Sequence, residues 1–456
     1  IYRSPTEFDE ERFKNRYRRE LKKLHRPEVS LHEITANMLK SQADKMSLNS
    51  AAGLDGRTVR ELRALPVAIW EIVALFWQHF EYFPDKKWPA DLLEAIVYAI
   101  PKPDDDGSIP RVDKLRPISV LSVMFRVWSG VKFGQMRPWL EDNLPSGIVG
   151  GKHKGEVATM IYKIALALEE AKAGLVKETF VMTTDFSKFF DKICWNHVFM
   201  VAETMGVPSH LIRLYKGLLG KIRRHFSING FFDLEAIEAL CGIVQGDALS
   251  LLWAAIALAV WAVFVEDRHP DCEALAYVDD RYMVTRCKED MESIARETVV
   301  HDKLAGLLLN ANKCTGTASS LAARKRLATV RLGTTGLKVS LAFKALGHQL
   351  SGASRTSMKI QKSRLKKGSS TCGRVYRSRI FNRAQKTLGA CHVALPQATY
   401  GSWLSGVPVS ASNALGTLAM KTVWGSGGGS RAKELMLSLV VPGHAVAPED
   451  AADYQT

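Results

Sequence analysis

The chain has 456 residues, 46% of them hydrophobic, which indicates a globular protein with two or three subdomains rather than one core. Its seven cysteines show no CxxC spacing, so the sequence indicates neither a zinc site nor a disulfide framework and favours a reducing intracellular compartment. The formal net charge is +15, and the excess of bases lies in one block towards the C-terminal end.

The N-terminal part is predicted to be helical. Residues 1–50 mix acidic and basic side chains at helical spacing, which favours a charged helical extension. A Gly-rich loop follows, and either Asp55 or Thr58 is a candidate cap for the short helix after it. The next helix is predicted over 67–83, and its aromatic stripe is expected to lie in the core.

Strand patterns then alternate with helical ones. Two β-rich runs, 95–100 and 115–121, are joined by a loop rich in Pro, Asp and Gly, which predicts a hairpin. A further strand is predicted over 179–184 and ends at Asp185, and helical periodicity resumes at Trp195.

The most apolar run covers 249–265. It contains Ser250 and is bounded by Asp247 and Glu266, which makes it slightly short for a membrane span. We therefore predict a buried helix and no membrane partner. No secretory or transmembrane segment is recognised, so an intracellular location is expected, with the nucleus as one candidate compartment.

Asp279 and Asp280 lie side by side between two strand-like runs, 273–277 and 281–285. Ionised side chains are costly to desolvate and two neighbours repel each other, so such a pair needs a turn or nearby cations. One explanation is a hairpin turn. The other is a site that holds Mg²⁺ against a polyphosphate, which requires another carboxylate elsewhere in the fold. Asp185 is the candidate.

The bases are concentrated between Asp302 and Glu434, where 22 Lys and Arg residues occur and no acidic residue does. A solvated surface normally mixes both signs, so this block favours a polyanionic partner, most simply a nucleic-acid backbone. A merely basic, solubilising surface is the alternative. Another strand pair is predicted within 336–350, and the chain beyond is predicted to be mostly helical.

Six motifs, in the family's order, resemble those of reverse transcriptases. The stretches IPKP and LRPISVLS are similar to the fingers motif, DFSKFFD to the first palm motif, GIVQGDALS to the second and YVDD to the third. GLLLNANK resembles the fourth, and LGH resembles the primer-gripping turn. The resemblance covers most of the chain and is greatest to non-LTR retrotransposon enzymes in AAGLDG and RPIS. One departure is Leu251, where the family usually has Pro.

The resemblance implies a right-hand polymerase fold of the α+β class, with fingers, a palm built on an antiparallel sheet with helices, and a helical thumb. It implies a helical extension over 1–50, fingers with part of the palm over 51–178, and the palm over 179–350. Within the palm range, 206–240 can return to the fingers. The basic thumb and C-terminal segment occupy 351–456.

The resemblance also assigns residue roles. The catalytic and metal-binding carboxylates are Asp185, Asp279 and Asp280. The residues expected to bind the incoming dNTP are Lys102, Arg116, Phe190, Gln245, Gly246 and Lys313. The residues expected to contact nucleic acid are Leu346, Gly347, His348, Arg364, Lys366 and Lys367. Structural alternatives stay open: Gln245 and Gly246 as helix-entry residues, Lys102 as a solvated loop lysine, and Phe190 as core.

The implied function is an RNA-directed DNA polymerase of a retrotransposon. It would use two Mg²⁺ ions, which Mn²⁺ could replace, to extend a DNA or RNA primer with dNTPs on an RNA template. An RNA-dependent RNA polymerase is an alternative, but it must admit a 2′-hydroxyl, which an aromatic ring at Phe190 disfavours by sterics. A catalytically silent palm-fold RNA-binding scaffold is another, but it would not need all three carboxylates.

Overall fold

The structure, a computed structural model, describes residues 7–101, 115–152, 157–228, 230–352 and 358–425, together with Leu437 and Pro448. The described residues mix helices with sheets, which confirms the α+β class. The helices are α1 (Glu10–Arg16), α2 (Arg18–Leu24), α3 (Ala36–Lys45), α4 (Val59–Arg63), α5 (Val67–Tyr82), α6 (Ala90–Leu93), α7 (Val123–Asn143), α8 (Val157–Lys172), α9 (Phe189–Lys192), α10 (Trp195–Thr204), α11 (Ser209–Lys221), α12 (Leu249–Arg268), α13 (Lys288–Leu304), α14 (Leu321–Leu327), α15 (Lys359–Arg377), α16 (Arg383–Thr387), α17 (Leu395–Thr399), α18 (Ser402–Ser405) and α19 (Val409–Trp424). A 3₁₀ turn covers Ala311–Lys313 and a π-helical segment covers Leu388–Ala394.

The strands are β1 (Glu94–Pro101), β2 (Leu115–Val120), β3 (Phe180–Thr184), β4 (Arg223–Ile228), β5 (Phe231–Phe232), β6 (Ile237–Glu238), β7 (Glu273–Tyr277), β8 (Asp280–Thr285), β9 (Thr315–Ala318), β10 (Arg331–Leu332), β11 (Thr335–Gly336), β12 (Lys338–Val339), β13 (Ala342–Ala345) and β14 (His348–Ser351). They form two five-stranded sheets and two separate pairs among the described residues.

Within residues 7–50, the N-terminal extension consists of three helices, α1, α2 and α3. Asp9 caps α1 by accepting a hydrogen bond from the Arg12 N–H, and Tyr17 interrupts the helical path between α1 and α2. The Tyr17 hydroxyl donates to the Glu297 carboxylate of α13 at 2.7 Å. The extension therefore packs onto a helix that lies more than 250 residues later in the chain.

Thr58, not Asp55, caps the short helix after the Gly-rich loop. Its hydroxyl accepts from the Glu61 N–H, and the Glu61 carboxylate accepts from the Thr58 N–H in return. Asp55 instead accepts a hydrogen bond from the Ser122 hydroxyl at 2.8 Å. A Cβ at Gly53 would lie 2.7 Å from the Ser122 nitrogen, so the loop needs glycine to pack against the end of β2.

The first sheet contains the predicted hairpin. β1 pairs with β2 in antiparallel fashion, as the sequence predicts, and it pairs on its other side with β4 in parallel. β5 and β6 both pair with β4. The segment 223–238 therefore joins strands that lie over a hundred residues earlier.

The second sheet carries the carboxylates, in the order β12-β9-β3-β8-β7. β3 lies at its centre and pairs antiparallel with β8, with Thr184 opposite Arg281. Asp185 therefore follows the end of β3 beside the start of β8. Side chains that are 95 residues apart in sequence meet because the two strands run in opposite directions.

α12 is the central buried helix. By length and composition it could cross a membrane, but 83% of its most apolar window is buried inside the protein. It packs against α10, α7, α2 and β7, so its all-round apolar surface is covered by protein. The predicted buried helix is confirmed and continues to Arg268.

The chain from α15 to α19 is helical, as the sequence predicts. α15 packs against α17, α19 and the π-helical segment. This unit has its own apolar cluster, which includes Leu365, Cys372, Leu395 and Leu415. Lys366 and Lys367 lie on the exposed side of α15.

Candidate active site

Three carboxylates lie at the ends of the central strands. Asp185 is one-third exposed, Asp280 is half-buried and Asp279 is exposed. Burial, together with the charges of Asp279 and Asp185, raises the pKa of Asp280 to about 6. The carboxylates predicted from the sequence therefore share one electrostatic environment, in which a cation would favour their ionised forms.

Asp279 lies in a strained turn. Tyr277 and Asp280 are paired across the hairpin, so the turn itself consists of Val278 and Asp279. Val278 has φ of +59°, a left-handed conformation that β-branched residues rarely adopt. Such strain persists only where surrounding contacts impose it, and it is concentrated at functional sites.

A glycine-rich segment imposes this turn. A Cβ at Gly150 would lie 2.7 Å from the Val278 nitrogen, so only glycine allows this approach. The Val149 N–H donates to the Ala276 carbonyl at 2.9 Å, and the Ala276 N–H donates to the Gly147 carbonyl at 2.8 Å. Residues 147–150 thus cover the edge of β7.

Lys313 lies beside the first carboxylate. Its Nζ is 3.5 Å from Asp185 Oδ2, an ion pair without hydrogen-bond geometry. The Asn310 N–H donates to the Asp185 carbonyl at 2.8 Å, so the fourth motif runs alongside the first. The structure places this predicted dNTP-binding residue at the carboxylates.

Phe190 lies where the first and second palm motifs meet. The Ile243 N–H donates to the Phe190 carbonyl at 2.7 Å. Gly242 has φ of +85°, and a Cβ there would lie 2.6 Å from the Asp191 carbonyl oxygen. The Phe190 side chain is only partly buried against the core, so it keeps an exposed face.

Gln245 and Gly246 pack against the strand that carries Arg116. The Ser119 N–H donates to the Gln245 carbonyl at 3.1 Å, and a Cβ at Gly246 would lie 3.0 Å from the Ser119 carbonyl oxygen. The loop is therefore attached by its backbone to β2, the strand on which Arg116 lies exposed three residues before Ser119. Lys102 lies outside the described residues.

Asp247, a buried acid, anchors this loop to α7 and α11, a role that the sequence pattern does not indicate. Asp247 accepts hydrogen bonds from the hydroxyls of Ser129 and Tyr215, the latter at 2.6 Å. Burial raises its pKa to about 6 although these donors favour the ionised form. The Ser250 hydroxyl donates to the Val244 carbonyl at 2.7 Å and closes the loop. The signal in the sequence is an Asp two residues before the start of an apolar helix.

The predicted primer-gripping turn joins β13 to β14. Leu346 and Gly347 both have positive φ, +44° and +87°, as a two-residue turn that follows the strand twist requires. The Leu346 N–H donates to the Tyr282 hydroxyl at 3.1 Å. Burial, and after it the charge of Asp280, raises the pKa of Tyr282 well above its usual range. This turn is thus connected to the strand of Asp280.

The helices after β14 contact the same turn. The His348 ring is buried against Tyr400 and Trp403, with centroids 4.9 and 5.6 Å away. The Arg364 guanidinium stacks on the Tyr400 ring at 5.0 Å and donates to the Tyr400 carbonyl. His348 and Arg364, predicted to contact nucleic acid, are therefore engaged in contacts between β14, α15 and the segment 400–403, whereas Lys366 is exposed.

The carboxylates fit a hard divalent cation. Asp185 Oδ2 is shielded from solvent and receives no hydrogen bond, and carboxylate oxygens are ligands that Mg²⁺ prefers. Within the described ranges, no group of three or more His, Cys, Asp or Glu side chains is arranged to hold a metal alone. An ion here would take further oxygens from substrate phosphates and water, as is usual for Mg²⁺.

A sequence model of the reverse transcriptase (RNA-dependent DNA polymerase) family matches residues 100–350, more than half of the chain. The chain belongs to the reverse transcriptase family. The matched range runs from the end of β1 to β14 and contains every motif described above from IPKP to LGH. Reverse transcriptase domains generally use divalent metal ions, in agreement with the donor set at Asp185 and Asp280.

Among solved structures, this reverse transcriptase is similar to an apo telomerase from Candida tropicalis truncated from the C-terminal domain. The two chains are 14% identical, with a TM-score of 0.38. The match covers 63% of this chain and 59% of the telomerase chain, so it spans less than two thirds of that neighbour's length.

Proposed function

We propose that this protein is an RNA-directed DNA polymerase that extends a primer 3′-hydroxyl with dNTPs on an RNA template. The observation that carries the proposal is the register of β3 and β8, which brings Asp185 beside Asp280 at one edge of the sheet. The charge of Asp185 raises the pKa of Asp280, and Asp185 Oδ2 accepts no hydrogen bond. Both observations support a cation-binding role for the two carboxylates. Nucleotidyl transfer needs such a site, because charge develops on the attacking and leaving oxygens.

Asp185, Asp279 and Asp280 would hold two Mg²⁺ ions, which Mn²⁺ could replace. When bound, the two metal ions would activate the primer hydroxyl and stabilise the leaving pyrophosphate. The side chains of Lys102, Arg116 and Lys313 would bind the triphosphate of the dNTP, since both fixed and forked cations suit phosphate oxygens. Phe190, Gln245 and Gly246 would form the sugar and base side of the pocket.

The Leu346–Gly347 turn and His348 would set the position of the primer strand. Lys366, Lys367 and Arg364, on α15, would attract the phosphates of the template and primer. We assign a helical extension to 1–50, fingers to 51–178, palm to 179–350, and thumb with C-terminal segment to 351–456. Pairing of β4 with β1 supports the return of 206–240 to the fingers.

A non-LTR retrotransposon origin is the finer proposal. It rests on the sequences AAGLDG and RPIS, whose Gly53 and Ser119 pack against the end of β2 and against the Gln245 loop respectively. In this proposal, both stretches support the loop that forms part of the nucleotide pocket.

The test is primer extension on matched RNA and DNA templates, with dNTPs and NTPs supplied separately. The proposed function expects extension with dNTPs on RNA, dependence on Mg²⁺ or Mn²⁺, and little use of NTPs. Efficient NTP use on RNA would instead identify an RNA-dependent RNA polymerase. Template binding without any extension would identify an RNA-binding scaffold.

A further inference from the structure

Arg281 is a fully buried charge between the two catalytic strands. It follows Asp280 directly in β8, and it is paired across the sheet with Thr184, which precedes Asp185. A buried guanidinium is costly unless every donor finds an acceptor, so its contacts reveal what it is used for.

Its polar contacts join three elements. Nη1 and Nη2 donate to the two Asp302 oxygens at 2.8 and 2.5 Å, a bidentate pair with helix α13. Nε donates to the Thr184 hydroxyl at 3.0 Å, at the end of β3. Arg281 thereby links the two carboxylate-bearing strands to a helix behind the sheet.

The faces of the Arg281 guanidinium contact two aromatic rings, and one of them belongs to Phe186, the residue after Asp185. The guanidinium carbon lies 4.2 Å from the Phe186 ring centroid and 4.9 Å from the Trp261 ring centroid. Arg281 therefore touches both neighbours of Asp185, Thr184 and Phe186, while it is itself the neighbour of Asp280. A shift of its head group would move both strand ends.

Asp302 fixes the other end of this arrangement. Its carboxylate is buried on α13, and His301 Nδ1 lies 3.2 Å from Oδ1. With its plane set by two parallel hydrogen bonds, the guanidinium has one orientation available. That orientation also satisfies the Thr184 hydroxyl.

A buried ion pair is weak support for stability, because well-packed apolar replacements are often neutral or stabilising. Its use here is geometric. We propose that Arg281, held by Asp302, is a positioning residue that sets the separation of Asp185 and Asp280 at which they bind divalent cations. This inference rests on the proposed function and adds a residue pair to it.

The fingers contain a matched ion pair for comparison. Lys132 Nζ lies 2.7 Å from Glu81 Oε2, both side chains are buried, and the pair joins α7 to α5. It makes no contact with β3 or β8 among the contacts described for it. A purely structural role for Arg281 would make the two pairs behave alike.

The experiment compares Arg281→Met/Asp302→Leu with Lys132→Met/Glu81→Leu and wild type. Three quantities are measured: the Tm without metal, the rise in Tm that millimolar MnCl₂ produces, and the Mg²⁺ concentration that gives half-maximal primer extension. Bound cations stabilise the folded state by mass action, so the Tm rise reports metal binding without catalysis.

For Arg281→Met/Asp302→Leu we expect a metal-free Tm within about 4 °C of wild type. We expect loss of the Mn²⁺-induced rise and an increase of about tenfold or more in the Mg²⁺ requirement, because displacement of a ligand by about 1 Å is costly. Template–primer affinity should stay within about twofold, since phosphate contacts lie elsewhere. The fingers variant should keep the wild-type metal response.

Two single variants decide the question if the double variant does not fold. Thr184→Val keeps the side-chain shape but removes the acceptor for Nε, so a smaller shift in the same direction is expected. Arg281→Lys keeps the positive charge but cannot form the bidentate pair with Asp302, so it should lack the wild-type metal response. Wild-type metal binding in folded Arg281→Met/Asp302→Leu, or in both single variants, would overturn the proposal.

The proposed function is tested separately by wild type. If wild type binds Mn²⁺ but extends no primer, the polymerase assignment fails while the positioning role of Arg281 is still decided by the Tm measurements. If wild type extends primers and the metal response is equal in all variants, the positioning role fails alone.

Discussion

The Tyr282 hydroxyl accepts a hydrogen bond from the Leu346 N–H at 3.1 Å, which connects β8 to the turn between β13 and β14. Side chains two residues apart in a strand point to the same face, so Tyr282 and Asp280 share one face of the sheet. The turn proposed to hold the primer is therefore fixed relative to a proposed metal ligand through one phenol.

We predict that Tyr282→Phe lowers kcat/KM for nucleotide addition several-fold. Loss of the acceptor leaves the Leu346 N–H without its partner, which costs about 1 to 3 kcal/mol if the group stays buried, and relaxation moves the turn. Single-nucleotide insertion kinetics measure the effect. Tyr162→Phe, at an exposed position on α8, is the control and should resemble wild type. Equal kinetics for both variants would show that the turn does not depend on Tyr282.

Asp279→Asn is predicted to abolish polymerisation with little effect on folding or template binding. The side chain is exposed at the turn, so the change removes a charge and not core volume. Primer extension, urea unfolding and RNA binding are compared with Asp271→Asn, an exposed aspartate before the same hairpin. Extension within tenfold of wild type would show that the catalytic assignment of Asp279 is wrong.

Three bases on α15 are predicted to give template–primer binding its salt dependence. Replacement of Arg364, Lys366 and Lys367 by Gln should flatten the plot of log K against log salt by roughly 0.7 to 0.9 for each phosphate that is no longer neutralised. Arg364 is stacked on Tyr400, so its replacement can also change how α15 packs. The double variant Lys366→Gln/Lys367→Gln leaves that contact in place and therefore measures only the phosphate contribution to the salt slope.

Arg18→Gln/Lys22→Gln removes the same charge as this double variant from exposed positions in the N-terminal extension and serves as its control. Equal slopes for the two variants would mean that Lys366 and Lys367 contact no phosphate of the template or primer.

The sequence was sufficient for the carboxylate strands because their pattern is local. Alternating apolar residues predict β3, β7 and β8, and adjacent carboxylates predict the turn between the last two. Arg281 could not be assigned in this way, since a charged residue directly after two carboxylates predicts solvent exposure. Its partner Asp302 is 21 residues away on a helix, and only the fold shows that they meet.

Backbone pairing was equally hidden. Residues 147–150 pair with β7 through main-chain groups, which leave no side-chain periodicity in the sequence, and the glycines are their only trace. The parallel pairing of β4 with β1 joins residues about 130 positions apart. Such contacts follow from how the elements pack, because no short-range pattern specifies them.

Asp247→Asn is predicted to change how stability depends on pH. Burial raises the pKa of Asp247 from 3.8 to about 6, so the folded state favours the protonated carboxyl. The resulting stability is fully present below about pH 4 and is lost as the pH rises through 6. The free energy of unfolding of wild type, relative to the variant, should therefore fall by about 2 to 3 kcal/mol between these limits.

Urea unfolding at pH 4.5 and 7.5 measures most of this difference. Asp142→Asn, at an exposed position, is the control and should follow wild type at both values. A difference between wild type and Asp247→Asn that is independent of pH would show that Asp247 is ionised throughout, held by Ser129 and Tyr215.

Phe190→Val is predicted to admit ribonucleotides while DNA synthesis continues at a reduced rate. The ring is partly exposed five residues after Asp185, in a turn whose carbonyl accepts from the Ile243 N–H. If the ring packs against C2′ of the sugar, a 2′-hydroxyl would collide with it, and overpacking costs about 1 to 3 kcal/mol, or roughly ten- to a hundredfold in selection. Removal of the ring relieves the collision, so kcat/KM for CTP relative to dCTP should rise by that factor.

Phe231→Val, at an exposed position on β5, controls for loss of a surface ring. An unaltered ratio in folded, active Phe190→Val would exclude Phe190 from the sugar pocket, and a wild type that used both nucleotides equally would favour RNA synthesis.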